Sequence, residues 1–279
     1  MAFDGLITWA EGLERSLDAK ARLQHWMGHE PDSWQVEAFS VRPPASALPG
    51  GAVASEVAMR VGRQSGKTSV LAARCVEELH VAESLSLCIA PSERQAKIIA
   101  REVTRQLRRT DLVVTRSTLT ELEMSNGARV IALPSTSDTI RGFPSVSLLV
   151  IDECAFLKGD DTEDVRGEAL ISGVLPMLTT QGQVYFSSTP AGKNNYFARL
   201  FLDENGRERL DNDLHRIVVK GTELPRLSEK VERMRRTMSA TRFRQEIDVE
   251  MLSDGVSYFD ISAIEQATNM QEGAICPRM

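Results

Sequence analysis

Met59-Arg-Val-Gly-Arg-Gln-Ser-Gly-Lys-Thr-Ser69 places Gly66, Lys67 and Thr68 in the order that wraps a nucleotide triphosphate. The segment before it, Val57 to Val61, is short and apolar enough for a buried strand. The segment after it, Ser69 to Leu79, carries Val70, Leu71, Ala73 and Val76 at helical spacing. Strand, loop and helix in succession are the context that a phosphate-binding loop requires. There the backbone N–H groups of Gly62, Arg63, Gln64, Ser65, Gly66 and Ser69 line the phosphates, and the Lys67 ammonium reaches the β- and γ-phosphates. Thr68 would place its hydroxyl on Mg²⁺. The glycine that usually opens such a loop belongs five positions before Gly66, where this chain has Val61; Gly62 comes one step late.

The run Leu148-Leu-Val-Ile-Asp-Glu153 ends an apolar stretch in two carboxylates, as a buried parallel strand does when it delivers acids to the sheet's C-terminal edge. The phosphate loop opens at that same edge. Asp152 can hold the Mg²⁺ shell, and Glu153 can orient and deprotonate the attacking water. A further strand, Gln183-Val-Tyr-Phe-Ser-Ser-Thr-Pro190, ends in three hydroxyl residues, Ser187, Ser188 and Thr189. Beside a γ-phosphate they can report its presence through hydrogen bonds lost on hydrolysis. Local chemistry fits equally a Ser/Thr turn leading into Pro190 and Gly192.

Together, Gly62 to Thr68, Ile140-Arg-Gly142, Leu148 to Glu153 and Ser187-Ser-Thr-Pro190 resemble, in order and spacing, the ATPase domain of the large terminase subunit of tailed bacteriophages. That family's loop carries an arginine before its glycine-lysine-threonine, and Arg63 fills the place. Pro31-Asp-Ser-Trp-Gln35 resembles the family's adenine-recognising segment through Trp34 and Gln35. Phe243-Arg-Gln-Glu-Ile247 resembles the segment that closes the domain.

The resemblance implies a RecA-like (ASCE) P-loop ATPase of the α/β class, a doubly wound, mainly parallel sheet with an N-terminal helical extension and a β-hairpin insertion. It places the ATPase domain at residues 31–255, after a helical segment 1–30 and before a tail 256–279. It implies ATP and Mg²⁺ as cofactors and hydrolysis that moves double-stranded DNA into a procapsid. The implied partners are DNA, a homo-oligomeric ring, a portal protein and a small terminase subunit, in the host cytoplasm. Arg63 would act within its own subunit, and Arg141, in Ser135-Thr-Ser-Asp-Thr-Ile-Arg-Gly-Phe143, would reach a neighbour's nucleotide; a loop arginine paired with Asp138 is the alternative. Large terminases usually continue into a nuclease domain, and the tail Ile261 to Met279 is short for one, so no DNA cleavage is expected of this polypeptide. Two other readings stay open: a helicase-like translocase, which would need a second ATPase-like lobe, and an ATP-binding assembly switch with negligible turnover.

At 279 residues with 42% hydrophobic content the chain can bury one substantial core. No apolar run is long enough to span a bilayer, and Asp4, Glu11 and Glu14 interrupt the N-terminus, so neither a membrane nor a secretory signal is expected. The net charge of −6 argues against bulk attraction to DNA, so any contact must be local. Candidates are Arg101, Arg105, Arg108 and Arg109 on one helix, and Arg226, Lys230, Arg233, Arg235 and Arg236 on another; each set also reads as a solvated helix face. Cysteines 75, 88, 154 and 276 lack metal-ligand spacing and read as free thiols, Cys88 and Cys154 in the core. His25 and His29 have i, i+4 spacing without a supporting carboxylate and read as a helix end.

Leu6, Ala10, Leu13 and Leu17 predict an amphipathic helix in a segment that stays helical to about residue 28, and Arg42 to Gly51 reads as a loop. Beyond it, strands are expected at 84–90, 148–152, 183–188 and 215–220, and a hairpin at 119–124 and 128–133 turning at Asn126-Gly127. Helices are expected at 92–109, 165–179, 195–202 and 228–239.

Overall fold

The computed structural model describes residues 18–43, 55–136, 140, 142–157, 165–210 and 214–253. Among the described residues two short helices come first, α1 (Ala19–Met27) and α2 (Ser33–Ser40). Asp18 caps α1 by accepting from the Lys20 N–H, and Gly28 ends it at φ +79°, a left-handed conformation suited to glycine. The residues of the expected amphipathic helix before Asp18 lie outside the described residues.

The central units follow as β1 (Glu56–Val61), α3 (Lys67–Glu78), β2 (Leu85–Ala90) and α4 (Glu93–Leu107). Next come three short strands, β3 (Val114–Ser117), β4 (Glu121–Met124) and β5 (Arg129–Pro134). The remainder is β6 (Val146–Asp152), α5 (Glu168–Val174), β7 (Leu178–Ser188), α6 (Tyr196–Arg199), β8 (His215–Val219), α7 (Ser228–Thr237) and α8 (Ala240–Glu246).

The described strands form one eight-stranded sheet in the order β3-β4-β5-β2-β6-β7-β1-β8. Pairing is parallel from β5 through β8, and antiparallel only for β3–β4 and β4–β5. The β4–β5 hairpin turns at Asn126-Gly127 as expected, with Gly127 at φ +82°. Asn126 fastens that turn to the end of α3 through its side-chain amide and the Leu79 carbonyl, 3.0 Å apart.

Apolar residues on the two faces build two cores. One packs α1 to α4, α7 and α8 against the sheet around Phe39, Leu71, Val103 and Tyr185. The other packs α5, α6 and the turn after β6 around Phe186, Phe197 and Phe201. Central strands covered on both faces must be apolar throughout, which is why β2 is buried at every residue and β6 at all but Ser147. The amphipathic α4 buries Ala96, Ile99, Ala100, Val103 and Leu107, one face at helical period.

The sequence expectations need five corrections. The helix expected to run to Thr179 stops at Val174, since Pro176 cannot continue it, and Thr179 already belongs to β7. The helix expected at 195–202 is a single turn capped by Asn195, whose side chain accepts from the Ala198 N–H. The helix after the phosphate loop begins at Lys67, not Ser69. Strand β3, exposed at all four residues, and helix α8, capped by Ser239, were not expected.

Candidate active site

Strand β7 lies between β1 and β6, so three strand ends meet at one edge of the sheet. Register aligns Ser187 with Met59 of β1 on one side and Asp152 of β6 on the other. The phosphate-loop strand, the acidic pair and the hydroxyl run therefore open into the same space.

Gly62 continues β1 by donating its N–H to the Val219 carbonyl at 2.9 Å. A Cβ there would stand 2.8 Å from the Gly221 nitrogen and 2.9 Å from the Ile247 oxygen. Position 61 is still strand, where buried Val61 adds to the core. The glycine is thus needed one step later than usual, where other backbone closes in. The loop then turns sharply, with Gln64 at φ +64° and Gly66 at φ +94°. Such left-handed residues make a concave row of N–H groups, the geometry that cradles anions.

Lys67 is buried, and its ammonium donates to the Val61 carbonyl at 3.1 Å and stands 3.7 Å from Glu153 Oε1. Glu153 takes a left-handed backbone, φ 49° and ψ 44°, which for a side chain other than glycine carries a strain of about 1–2 kcal/mol. The other carboxylate oxygen, Oε2, accepts from the Ser188 hydroxyl at 3.3 Å, and Ser188 Oγ accepts from the Ala155 N–H at 3.2 Å. Glu153 is held between the loop lysine and the hydroxyl strand.

Asp152 is buried, and its Oδ1 has no hydrogen-bond partner among the described residues. Burial first, and the neighbouring Glu153 charge second, push its carboxyl up to about 7. Ser65 Oγ is likewise buried and unpartnered among the described residues, and the buried Ser187 hydroxyl faces Asp152. Orphaned oxygens at this edge fit a hard divalent cation, with Asp152 and the Thr68 hydroxyl at the start of α3 as the donors. Among the described residues no three or more His, Cys, Asp or Glu gather as an all-protein cage, so the fit is to an ion that shares its shell with phosphate oxygens.

Trp34 and Gln35 sit in the first turn of α2, both buried. Gln35 accepts the Asp32 N–H at 2.9 Å and donates to the Gly66 carbonyl at 3.3 Å. The upstream segment therefore touches the phosphate loop directly. Trp34 Nε1 is buried with no partner among the described residues. Thr189 is buried at the end of β7.

Arg63 donates through its guanidinium to Glu246 Oε2 at 2.6 Å and through its backbone N–H to the Glu246 carbonyl at 2.8 Å. Sequence spacing gave no sign of Glu246 as a partner. The adjacent Gln245 donates to the Pro190 carbonyl at 2.8 Å, and Ile247 accepts from the Gly221 N–H at 2.7 Å. The end of α8 thus joins the loops that follow β1, β7 and β8. Arg141 and Asp138 lie outside the described residues.

The family model "Terminase large subunit, T4likevirus-type, N-terminal" matches residues 59–266, well over half of the chain. The chain belongs to the large terminase subunit family. Among solved structures, the large terminase ATPase domain of Thermus phage P74-26 superposes with a TM-score of 0.61 at 19% identity, covering 82% of this terminase chain and 97% of that one. The large terminase of a thermophilic bacteriophage gives 0.63 at 15% identity, covering 79% of this chain and 53% of that one. The bacteriophage HK97 large terminase gives 0.56 at 16% identity, covering 78% and 50%. The terminase chain thus has the fold of these ATPase domains and spans about half the length of the latter two proteins. No curated protein matches it.

Proposed function

We propose that this chain is the Mg²⁺-dependent ATPase motor of a viral DNA-packaging terminase, with residues 31–255 as the working unit. The observation that carries this reading is the convergence of Lys67, Glu153 and Ser188, with 3.7 Å between lysine and glutamate and 3.3 Å between glutamate and serine. Two nucleotide-bound structures of the thermophilic bacteriophage's large terminase, one with ADP and one with ATP-γ-S, support the same nucleotide here.

In this reading the loop from Gly62 to Ser69 cradles the triphosphate, and Trp34 and Gln35 face the adenine side. Mg²⁺, held by Thr68 and Asp152, supplies charge neutralisation on the phosphates when bound. Glu153 orients the attacking water and accepts its proton; Ser188 fixes the carboxylate, and Ser187 and Thr189 report the γ-phosphate. Arg63 senses phosphate within its own subunit, and Arg141 acts across the boundary to the next, which requires a ring.

Double-stranded DNA, a portal protein and a small terminase subunit are the partners, in the host cytoplasm. Once internal contacts are set aside, α4 and its C-cap keep three exposed arginines while α7 keeps Lys230 and Arg233, so α4 is taken as the DNA surface. Arg105 and Arg109 donate to the Met27 and Trp26 carbonyls at the end of α1, which leaves exposed Arg101 and Arg108, together with Arg94 on the same helix. On α7, Arg235 faces Glu232 and lies over the Phe243 ring, and Arg236 donates to the Glu232 carbonyl.

The test is ATP binding and turnover in two variants. Lys67→Ala is expected to lose binding, whereas Glu153→Gln keeps binding and loses turnover by at least about 10²-fold. Wild-type turnover in Lys67→Ala would refute the phosphate-loop assignment, and loss of binding in Glu153→Gln would make that residue structural.

A further inference from the structure

Arg226, grouped by sequence with the basic residues of α7, lies instead in the turn before that helix and touches the phosphate loop from 161 positions along the chain: its Nη2 donates to the Ser65 carbonyl at 2.6 Å. The same guanidinium forks onto Asp32, with Nε at 3.1 and 2.9 Å from the two carboxylate oxygens and Nη2 at 2.7 Å from Oδ2. Asp32 in turn donates its N–H to Gln35 Oε1, and Gln35 Nε2 donates to the Gly66 carbonyl. Two consecutive loop carbonyls, Ser65 and Gly66, are therefore held by two side chains that are both fastened to Asp32. A loop that turns its N–H groups inward must find donors for the carbonyls it turns outward. A planar guanidinium can serve a carboxylate and a carbonyl at once in fixed geometry, which an ammonium cannot reproduce.

As an ion pair the contact is a poor stabiliser, since the Arg226 side chain is 40% exposed and such pairs contribute about 0–1 kcal/mol. Its value is geometric. We infer that Arg226 is a positioning residue for the triphosphate: it acts through the Ser65 carbonyl to set the loop's N–H groups, and Asp32 aims it. This rests on the nucleotide-binding reading above. Because Arg226 acts on the loop and not on the base, its loss weakens every ligand that carries the triphosphate.

The experiment is calorimetric titration of the full chain with ATP and, separately, inorganic tripolyphosphate, both with Mg²⁺. Arg226→Ala is expected to raise both dissociation constants by the same factor, about tenfold, with an unchanged melting temperature. Arg226→Lys should not restore affinity, and Asp32→Asn should weaken both ligands without adding to Arg226→Ala in the double variant. Unchanged affinities in Arg226→Ala would overturn the inference and leave the site's reading intact. A loss confined to ATP would also overturn it, because Arg226 would then read the base. A wild-type chain that binds neither ligand would overturn the reading of the site itself, and the inference with it.

Discussion

Asp152 is held in an environment that opposes its own charge. Its ordinary value of 3.8 rises to about 7 because burial strips water from the carboxylate and Glu153 adds a like charge. Between those two pH values the folded, metal-free protein keeps a proton that the unfolded chain has released. Folding stability must therefore fall as pH rises through this window and level off above about 7. Asp152→Asn removes the ionisation, so its stability relative to wild type should rise across the window by up to about 4 kcal/mol. Urea unfolding without metal, repeated across pH, checks this; an advantage that does not change with pH would contradict the assigned cause. On the proposed role of Asp152 as a cation donor, the same substitution should abolish hydrolysis. In the proposed function the destabilisation is a local sacrifice of folding for a carboxylate that would hold a cation.

Among the elements, α8 is the one that local patterning describes least. Its last turn meets Gly62 and Arg63 after β1, Pro190 after β7 and Gly221 after β8. Gly62→Ala drives a methyl into the Gly221 and Ile247 backbone, so it should destabilise the fold by about 1–3 kcal/mol and weaken ATP binding. Gly142→Ala, whose added methyl meets nothing within 4 Å among the described residues, should leave the melting temperature unchanged. Comparison of the two thermal transitions decides whether the late glycine is a packing requirement. Long elements of one clear period were legible in the sequence: β6 as a continuous apolar run, α4 as an amphipathic helix, and the β4–β5 hairpin from Asn126-Gly127. Strand β3 was not, since all four of its residues are exposed and carry no burial pattern. The helix after residue 165 was overextended because its apolar residues continue past Pro176 into β7. The site divides in the same way. Lys67, Thr68, Asp152, Glu153 and the hydroxyl run are readable because each sits at a strand end or helix start that its own neighbours define. Glu246 and Arg226 are not, because their partners Arg63 and Ser65 stand 183 and 161 positions away.

At the scale of the whole molecule, the chain's charge of −6 means that DNA must be held at a few points and not by the surface as a whole. Arg101→Glu with Arg108→Glu should weaken duplex binding and flatten its salt dependence while ATP affinity stays unchanged. Filter binding across a salt series reads both, and an unaltered salt slope would move the DNA surface elsewhere. No helix among the described residues is long and apolar enough to cross a membrane. The proposed trans role of Arg141 would make turnover depend on assembly, because a protomer alone would lack a group typically worth about 10³–10⁵ in rate. The measurement that tests this most directly is ATP turnover per protomer across a protein-concentration series with linear duplex DNA present. Turnover is expected to climb with concentration and to be lost throughout in Glu153→Gln. A finite per-protomer rate that stays flat with concentration, bound ATP with no turnover at any concentration, or turnover that survives Glu153→Gln would contradict this expectation.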